Sequence, residues 1–487
     1  MKRLIRRVLS AALCAVLLVS AFSANAQAAG GYQDVPEGHW AASYIETATA
    51  EGLFQGRSDG KFGLGEKMSR AAFVTVLMRM FAWEEVTPEK GSFDDNQDKN
   101  AWYYTAVETA YKNGAVTRLE KKFRPTDPIT REEMAVMLVR ALGYGTLAGR
   151  AQELGCPFKD VKTNAGYITL AYQLGITGGY TETVFGPDDY ASREQTAAML
   201  VRTLQKMKGG MGVAGVQSEG GGAVNVLLVP ASFTLQRDGG YSFAETALPE
   251  GKVTALYWAQ IESADILADP AAAAAAIAEK AASYAGAAVS FEGMGEEDKE
   301  SYTALVAALR EALAGKMLYA FTQAPGWGES SLYDYAALVP LCDRIVVQVA
   351  AHEDTEGAIP MCPATPLEEV YHAVVMLKEA GGAGKMMLYI TTGSHVWYSY
   401  TSSCRKGEVI TAAEIKTLLE GNVQSYYSTR YASAYLTASY GAGSKVVWYE
   451  NAASVASKTR LLRMMGVNAV CYDSTAALRA DGGLLLS

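Results

Sequence analysis

The sequence predicts a multidomain protein, with an α-rich bundle of three repeats followed by an α/β domain of the (β/α)8, TIM-like barrel type. Three observations lead to this fold class. A set of landmarks recurs three times in the first two hundred residues, a glycine-rich stretch follows, and strand patterns then alternate with helical ones. The length of 487 residues agrees with several domains, since one domain usually holds about 100–200 residues.

Composition and charge exclude several classes of protein. Hydrophobic residues make up 49% and charged residues 20% of the chain, which is the balance of a globular protein and not of a disordered or fibrous one. The net charge is -9, and lysine and arginine form no long run after the first few residues. We therefore expect no nucleic-acid partner, because nucleic-acid-binding surfaces are strongly basic.

The amino terminus has the pattern of a secretory signal peptide at 1–26. Basic residues within positions 2–7 precede an apolar stretch at 8–22, and Ala24 and Ala26 are the small residues that a signal peptidase requires. A membrane anchor is the alternative, but the apolar stretch is short for a span of about 20 residues. Removal of the leader changes the net charge from -9 to -13 and leaves no predicted membrane span.

Cysteine and histidine are too few and too scattered to predict a disulfide framework or a metal site. The cysteines outside the apolar leader are odd in number and widely spaced, which is typical of small buried hydrophobes. A Cys342–Cys362 bridge stays open, although no spacing specifies it. With four histidines and no CxxC pair, the sequence predicts no metal and no cofactor.

Three repeats occupy 32–87, 91–145 and 156–205. Each copy has an aspartate near its start, an aromatic residue before a helical pattern, and a phenylalanine turn before Ser/Thr-Arg. The successive arginines lie 61 and 62 residues apart. A fixed period of this kind indicates one supersecondary unit that is used three times.

The pattern within each repeat predicts a helix, a turn and a second helix. Ser69, Thr130 and Ser192 stand directly before the arginines, where a hydroxyl can accept from the free amides of a first helical turn. The apolar residues that follow, such as Phe73 and Leu77, recur at helical spacing. Because one such unit cannot bury its apolar face alone, we expect the three to pack around a shared axis.

These landmarks resemble the S-layer homology (SLH) module, over about residues 32–204. The resemblance implies a three-pronged bundle that attaches a secreted protein non-covalently to secondary polysaccharides of a bacterial cell wall, which are often pyruvylated. A pyruvate ketal is an anion, and an arginine at a helix amino terminus suits it. The implied ligands are the arginines Arg70, Arg131 and Arg193 and the sugar-stacking or groove-wall residues Trp40, Trp102 and Tyr167.

Alternatives for these residues stay open. The aromatic residues are either glycan contacts or parts of the core, and some arginines are either anion ligands or members of surface ion pairs. The copies also depart from the family pattern, since the first has Leu64 where proline is usual and Ala72 where glutamate is usual. The third copy has Tyr167 in place of tryptophan. The three grooves therefore need not all be competent.

A glycine-rich linker is predicted at 206–223, where seven glycines occur without periodic hydrophobic residues. The second domain then covers 224–487, and about 260 residues is the usual size of a (β/α)8 barrel. Its strand–helix alternation implies a parallel sheet, although 224–252 is short for the first barrel units. The strand candidates are 253–258, 287–291, 316–321, 344–349, 385–391, 445–449 and 469–472.

The second domain resembles glycoside hydrolase family 18 over roughly residues 254–473. The resemblance rests on 286–294 behind a helix that Asp269-Pro270 opens, on 333–347, and on the strand–helix unit that starts at Lys445. It is nearest to the branch of spore-cortex and peptidoglycan N-acetylglucosaminidases. The resemblance therefore implies peptidoglycan or chitin-like glycans as partners.

The catalytic motif of that family is degraded in this chain. Its signature is DxxDxDxE at the end of a strand, and on this sequence the glutamate, which acts as general acid, is Glu292. The three aspartates become Ala285, Ala288 and Ser290, and the later Met-x-Tyr-Asp becomes Gln-Val-Ala-Ala at 348–351. A lone acid cannot orient the substrate's own acetamido group, and such a loss of positioning costs orders of magnitude in rate. We therefore expect an inactive or very slow barrel, with Ser290 and residues 352–354 as substitutes on paper.

Aromatic residues near strand ends are the candidates for glycan binding in the barrel. Barrel ligands bind at the carboxyl ends of the strands, and aromatic faces with polar rims suit sugar rings. The candidates are Trp327, Trp397 and Tyr472, with packing in the barrel wall as the alternative, above all for Trp448.

Three functions remain in competition for this secreted, wall-bound protein. The first is a wall-anchored binding protein or scaffold whose barrel is a retired glycosidase. The second is a wall-anchored N-acetylglucosaminidase or peptidoglycan hydrolase that uses Glu292 as general acid. The third is a structural component of the S-layer.

Overall fold

The computed structural model describes residues 31–218, 221–245, 254–349, 361–401, 403–479 and 484–486. The signal peptide predicted at 1–26 and the substitutes predicted at 352–354 lie outside these residues. The chain forms two compact units, named here the hub unit and the barrel unit. The hub unit comprises the residues up to 113 with 117–131 and 188–201, and the barrel unit comprises 114–116, 132–187 and 202–487.

The hub unit contains the centre of the three repeats. Its helices are α1 (Ala42–Ala50), α2 (Arg70–Met80), α3 (Tyr104–Lys112), and the starts of α4 (Arg131–Ala141) and α7 (Arg193–Met207). Isolated β-bridges join the repeats directly in front of the arginine-led helices, and they pair Lys67 with Ser192, Ser69 with Pro128, and Thr130 with Tyr190. The repeats therefore meet at one centre, as their period predicts.

Helix α2 shows why the Ser-Arg landmark starts a helix. The Ser69 hydroxyl accepts a hydrogen bond from the backbone N–H of Ala72 at 3.2 Å, which satisfies one free amide of the first turn. Behind this cap, Phe73, Val74 and Leu77 are fully buried at helical spacing. Both the predicted helix start and the predicted apolar face are confirmed.

The barrel unit begins with the remaining repeat segment, 132–187, and continues through the second domain. The repeat segment contains the rest of α4, together with α5 (Leu147–Glu153) and α6 (Ala165–Gln173). The second domain follows, and its first eight strands are β1 (Gly212–Val216), β2 (Val226–Leu235), β3 (Tyr241–Glu245), β4 (Ala255–Ile261), β5 (Gly286–Phe291), β6 (Met317–Ala324), β7 (Arg344–Val349) and β8 (Met386–Ile390). From β4 to β8 these strands alternate with helices. All of these are parallel neighbours in one sheet except β3, which pairs antiparallel with β2 as a hairpin.

An antiparallel sheet is inserted after β8. It is formed by β9 (Ser394–Tyr400), β10 (Ser403–Ile410), β11 (Gln424–Ser428), β12 (Ser433–Tyr440) and β13 (Gly443–Tyr449), in the order β10-β9-β13-β12-β11. Lys445–Tyr449, predicted as a strand in the barrel series, therefore belongs to this second sheet. Its run of four buried residues, at 446–449, cannot distinguish the two sheets, because a short apolar run suits a buried strand of either one.

The barrel closes through β14 (Ala469–Tyr472). This strand pairs in parallel with β8 on one side and with β1 on the other, while β1 also pairs with β2. Eight parallel strands thus form a closed TIM-like barrel, as the sequence predicts. The helices of the second domain are α8 (Pro270–Lys280), α9 (Lys299–Ala312), α10 (Tyr335–Leu341), α11 (Leu367–Glu379), α12 (Ala412–Leu419) and α13 (Ala452–Met464).

The predicted linker at 206–223 needs correction. Strand β1 lies inside this range and is the first strand of the barrel, with Ala214 paired to both Val226 and Cys471. The glycines do not make this stretch a tether, because a strand enclosed by two parallel neighbours obtains its hydrogen bonds without needing large side chains. This also explains why 224–252 is short for the first barrel units, since the barrel begins before 224.

Side chains fill the barrel interior. Strand residues alternate between the interior and the surrounding helices, and Trp258, Ala288 and Phe321 belong to one buried interior cluster. On α8, the Asp269 carboxylate accepts from the N–H of Ala272 at 3.0 Å and Pro270 occupies the first turn, which confirms the predicted helix start.

The described part of the chain contains neither a membrane-spanning helix nor a metal-binding cluster. No helix there is long and apolar enough to cross a membrane. No group of histidine, cysteine, aspartate and glutamate side chains there is arranged to hold a metal ion. Cys342 and Cys362 are both buried, and no disulfide joins them in this structure.

Candidate functional site

In the hub unit, the side chains of Arg70 and Arg193 contact neighbouring repeats. Arg70 is buried, with 7% of its surface exposed, and its Nε donates a 2.7 Å hydrogen bond to the carbonyl of Phe123. The guanidinium also lies 4.9 Å from the centre of the Phe123 ring. In this structure Arg70 fastens one repeat to the next, and its role as an anion ligand stays a prediction.

Arg193 and Arg131 occupy equivalent positions. Arg193 is half-buried, and its Nε donates to the carbonyl of Phe62 at 2.9 Å. Burial, together with the neighbouring Arg57, lowers the pKa of the Arg193 guanidinium. The backbone N–H of Arg131 donates to the carbonyl of Asp189 at 2.9 Å, as that of Arg193 does to Glu66. These two arginines stay partly accessible, but their first role in the structure is to join repeats.

The aromatic landmarks differ from one another in exposure. Trp40 and Trp102 are exposed over 54% and 66% of their surface, so the alternative that they belong to the core is wrong. Tyr167, in the barrel unit, is half-buried, and its hydroxyl accepts from Arg140 Nε at 3.1 Å. The Arg140 guanidinium lies 4.9 Å from its ring centre. Open aromatic faces are therefore found in the first two repeats, at Trp40 and Trp102.

The aspartate of each repeat has a role that the sequence analysis missed. Asp34 accepts hydrogen bonds from the backbone N–H groups of Phe62, Gly63 and Leu64 at 2.7–2.8 Å. Burial by itself would raise the pKa of Asp34, but these amides outweigh it and lower the pKa. Asp95 and Asp160 bind the corresponding amides in the other copies. The signal was present in the recurrence of aspartate 28 residues before the phenylalanine of the turn in the first two copies and 25 residues before it in the third.

At the barrel, Glu292 follows directly on the carboxyl end of β5 and is exposed. Its backbone N–H donates to the carbonyl of Ile261 at 3.1 Å, so the ladder with β4 runs to the end of both strands. The last pair in register is Ile261 with Phe291, and Glu262 and Glu292 come next on the two neighbouring strands. Glu292 is thus at the edge where barrel ligands bind.

Ser290 lies one step deeper and is already engaged. The indole Nε1 of Trp258 donates a 3.0 Å hydrogen bond to the Ser290 hydroxyl. The same indole stacks on Phe321, with ring centres 4.6 Å apart and planes 12° apart. Ala288, below Ser290, is fully buried in the interior cluster. Ala288 and Ser290, which stand at two aspartate positions of the family motif, are therefore packed beside the aromatic rings of Trp258 and Phe321.

Of the three aromatic residues predicted to bind glycan in the barrel, two are buried and Trp327 is half-buried. Tyr472 and Trp397 are only 6% and 5% exposed. Cys471 faces the barrel interior, so its neighbour Tyr472 faces the surrounding helices. The prediction used only the place of Tyr472 at a strand end, which does not tell which side of the wall a side chain faces. Trp327 stacks on His372 at 4.3 Å and lies under the Arg150 guanidinium at 5.5 Å.

Open aromatic surface occurs on the inserted sheet instead. Tyr426 on the edge strand β11 is 45% exposed and stacks on Tyr435 at 5.2 Å. Tyr435 in turn packs on Trp448 at 4.8 Å, and Tyr431 meets the Trp448 ring edge-on. Trp448 itself is buried, in agreement with the packing alternative. Tyr426 is therefore the open ring at the end of this series of packed aromatic side chains.

A further carboxylate at the rim, that of Asp473, serves the fold. Asp473, next to β14, accepts from the Thr392 N–H at 2.9 Å and from the Thr392 hydroxyl at 2.6 Å. Burial raises the pKa of Asp473, although these hydrogen bonds act in the opposite direction. The side chain ties the loop after β8 to the end of β14 and is not paired with Glu292.

Comparison with known families agrees with this architecture. Residues 31–74, 92–135 and 157–197 match the S-layer homology domain, and residues 271–472 match Glycosyl hydrolases family 18. The chain therefore combines three SLH repeats with a glycoside hydrolase family 18 domain. Proteins with SLH repeats of this kind are secreted and belong to the bacterial cell wall or S-layer surface, and so does this chain.

Among curated relatives, an amylopullulanase of Thermoanaerobacterium thermosulfurigenes is 30% identical over 179 residues, which is 36% of this chain and 10% of that protein. An S-layer protein of Bacillus thuringiensis subsp. finitimus is 27% identical over 219 residues, 44% of this chain and 26% of that protein. The chain thus spans about a quarter or less of the length of these relatives.

Solved structures with a similar course of the chain include two enzymes. A chitinase from Chromobacterium violaceum superposes with a TM-score of 0.45 at 18% identity, over 54% of this chain and 94% of the chitinase. The spore cortex-lytic enzyme SleL of Bacillus cereus superposes with a TM-score of 0.42 at 18% identity, over 55% of this chain and 71% of SleL.

Proposed function

We propose that the protein is held on secondary cell-wall polysaccharide by its SLH repeats and presents a barrel that binds N-acetylglucosamine-containing glycans without efficient hydrolysis. Membership of the SLH and family 18 groups supports anchoring and glycan recognition. The observation that carries the non-catalytic part is the hydrogen bond from Trp258 to Ser290.

That hydrogen bond matters because of where family 18 places its chemistry. The aspartate that precedes the general acid by two residues holds the substrate's acetamido group, and here the position is Ser290. The Ser290 hydroxyl carries no charge, and one of its two acceptor lone pairs is already bonded to the Trp258 indole at 3.0 Å. Glu292 is then an acid with no orienting partner, and positioning is worth several kcal/mol of a catalysed barrier, of order 7–11 kcal/mol at best.

The wall-binding part of the proposal rests on Trp40 and Trp102, which are the open aromatic landmarks. The sugars of a secondary polymer would stack on these rings, and the partly accessible Arg131 and Arg193 would bind its anionic groups, such as pyruvate ketals. Trp102→Ala is expected to reduce retention of the mature chain on purified walls several-fold. Leu119→Ala is the matched control, since Leu119 is 87% exposed and belongs to no landmark. Equal retention on walls stripped of secondary polymer would refute the anchoring.

Glycan contact at the barrel is assigned to the rim around Glu292 and to the open ring of Tyr426. Strand β11 carries only glutamine, serine and tyrosine side chains, so it offers hydrogen-bonding groups and an aromatic face without charge. This composition suits neutral saccharides such as peptidoglycan or chitin-like oligomers. Tyr426→Ala is expected to weaken binding of chitin oligomers in calorimetry, and Tyr440→Ala, which removes another exposed ring of that sheet, serves as its control.

Hydrolysis is measured on the same preparations. The mature chain is expected to release no reducing ends from peptidoglycan or chitin oligomers above the level of Glu292→Gln, while both proteins bind the oligomers. Turnover that Glu292→Gln abolishes would overturn the non-catalytic assignment. If the mature chain showed neither turnover nor binding, the barrel would have no role in glycan recognition.

One observation favours an enzyme as the second candidate. Glu262 follows β4 as Glu292 follows β5, on strands that lie about 4.8 Å apart. Two carboxyl groups about 5–5.5 Å apart are used by retaining glycosidases of other kinds. If the chain does hydrolyse glycans, Glu262→Gln and Glu292→Gln should each abolish the activity, whereas loss with Glu292→Gln alone would leave Glu262 without a role.

A further inference from the structure

A pocket of about 360 Å³ lies in the repeat segment 132–187, between the turn at 154–157 and one face of α6. Thr169, Tyr172 and Gln173 line it from α6, and their spacing of three and four residues places them on the same side of a helix. Ligand pockets usually hold about 300–1,000 Å³, so this one suits a small molecule.

Two side chains of this pocket have hydrogen-bonding groups that the fold does not use. Thr169 is only 1% exposed, and within the described part of the chain its hydroxyl has no hydrogen-bond partner. The Oε1 of Gln173 accepts from the hydroxyl of Tyr371 on α11, while its Nε2 has no partner among the described residues. A buried hydroxyl without a partner is unfavourable, and threonine in a helix adopts two χ1 rotamers, so the Thr169 hydroxyl can turn toward a bound molecule.

The pocket also contains a thiol. Cys156, in the turn, lines the pocket as a free and half-buried cysteine. Tyr172 is exposed and supplies an aromatic wall, and its ring meets that of Phe158 at 80° with the ring centres 5.3 Å apart. The residues that line the pocket carry no charged side chain. A ligand would therefore meet one nucleophile, one aromatic ring and two hydrogen-bonding side chains.

We propose that this pocket is a modification site, in which Cys156 forms a mixed disulfide with a small thiol that carries a carboxylate, of the class of free cysteine. The chain belongs to the cell surface, where conditions are oxidising and small thiols are converted to disulfides. A carboxylate suits the two unused groups, since the Gln173 Nε2 only donates and the Thr169 hydroxyl can donate as well. An ammonium group requires acceptors instead, and the Gln173 oxygen already accepts from Tyr371.

The reaction is a thiol–disulfide exchange with a low-molecular-weight disulfide. Cys156 gives its proton to solvent, and the thiolate attacks one sulfur of the small disulfide. The S–S bond of that disulfide breaks as a new S–S bond to Cys156 forms, and the other half leaves as a thiolate that takes up a proton. The small disulfide is the oxidant, so the step is balanced without a further reagent. In the product, the carboxylate of the attached half accepts from Gln173 and Thr169.

The first test treats the mature chain with cystine or with cystamine, which has the same ammonium groups but lacks the carboxylates. Peptide mass spectrometry follows mixed-disulfide formation at Cys156 and at Cys404, which is also free and half-buried but does not line the pocket. The ratio of the cystine rate to the cystamine rate is expected to be about 10-fold higher at Cys156 than at Cys404. This comparison removes the general attraction of an acidic chain for cystamine. Equal ratios at the two thiols would overturn the proposal.

The second test is Thr169→Val, which removes the hydroxyl and retains the shape of the side chain. A hydroxyl without a partner in the described structure adds nothing to the fold, so the variant is expected to be at least as stable as the wild type in thermal unfolding. Its Cys156 should nevertheless react about 5-fold more slowly with cystine, while the rate at Cys404 stays the same. Thr146→Val is the control, at an exposed threonine whose side chain makes no cap hydrogen bond. An unchanged cystine rate at Cys156 in Thr169→Val would contradict the proposed site.

Discussion

The indole nitrogen of Trp258 donates a 3.0 Å hydrogen bond to the hydroxyl of Ser290 across two neighbouring barrel strands. The register of the ladder makes this contact possible, since Trp258 is paired with Ala288 and Gln260 with Ser290. The indole also lies flat on Phe321. The indole of Trp258 thus fills the barrel interior beside Ala288 and Ser290. The Ser290 hydroxyl, at a position where the family motif has aspartate, holds the indole in place.

Trp258→Phe tests the value of that hydrogen bond. The substitution removes the N–H donor but retains an aromatic ring on Phe321, and Ser290→Ala removes the acceptor. Each is expected to lower the free energy of unfolding by about 1–3 kcal/mol, with the double variant costing less than the sum by about 1 kcal/mol. Urea denaturation of the four proteins measures this coupling, and strictly additive losses would show that the contact stabilises nothing.

Restoration of the lost aspartates should be possible at one position and not at the other. Ala288 is fully buried in the barrel interior, so Ala288→Asp introduces an unpaired carboxylate and is expected to cost more than about 4 kcal/mol. Ser290→Asp is half-buried beside the Trp258 donor and is expected to cost less than about 2 kcal/mol. Thermal unfolding ranks the two, and an equally stable Ala288→Asp protein would mean that the interior admits water.

Much of this architecture could be predicted, because it depends on local patterns. The Ser69 and Asp269 caps, the period of the repeats and the alternation of strands with helices follow from chemistry within a few residues. Strand β1 could not be identified, since Gly212–Val216 looks like a linker until its two parallel neighbours are known.

The candidate site was harder to predict for the same reason. Glu292 and its degraded motif are visible in the sequence, but the partner of Ser290 lies 32 residues away on another strand. Tyr472 and Cys471 are adjacent and yet face opposite sides of the wall. Arg70 resembles a surface ligand in sequence and proves to be buried against Phe123, because only the packing of repeats decides the direction of a long side chain.

Asp34 makes the stability of the repeats sensitive to acid. Its carboxylate accepts three backbone hydrogen bonds, which hold its pKa below the ordinary value against the effect of burial. The stabilisation is complete above the unfolded-state pKa of about 3.9 and is lost as the pH falls through the lower folded-state value. Asp34→Asn is expected to reduce the melting temperature at pH 6, and the deficit should shrink as the pH approaches 3.

Asp59→Asn is the control, because the Asp59 carboxylate accepts a hydrogen bond from one backbone N–H at an exposed turn. A deficit that does not vary with pH would exclude the charge as the source of the stabilisation.

The buried pair of Lys458 and Glu450 connects α13 to the inserted sheet. Lys458 is fully buried, and its ammonium donates to both Glu450 oxygens at 2.7 Å, to the Ala432 carbonyl at 2.9 Å and to the Ser433 hydroxyl at 2.9 Å. Burial lowers the pKa of Lys458, and Glu450 works against this effect. The attraction of Glu450 therefore favours the charged ammonium against the effect of burial.

Removal of one partner should therefore cost more than removal of both. Lys458→Met leaves the Glu450 carboxylate buried without a cation and is expected to cost about 3–5 kcal/mol, while the double variant with Glu450→Gln should recover part of that loss. Lys99→Met breaks the exposed pair with Glu89 and is expected to cost less than about 1 kcal/mol. Urea unfolding at pH 7 compares the proteins. A double variant less stable than Lys458→Met would contradict this expectation, because Glu450 would then stabilise the fold even without its cation.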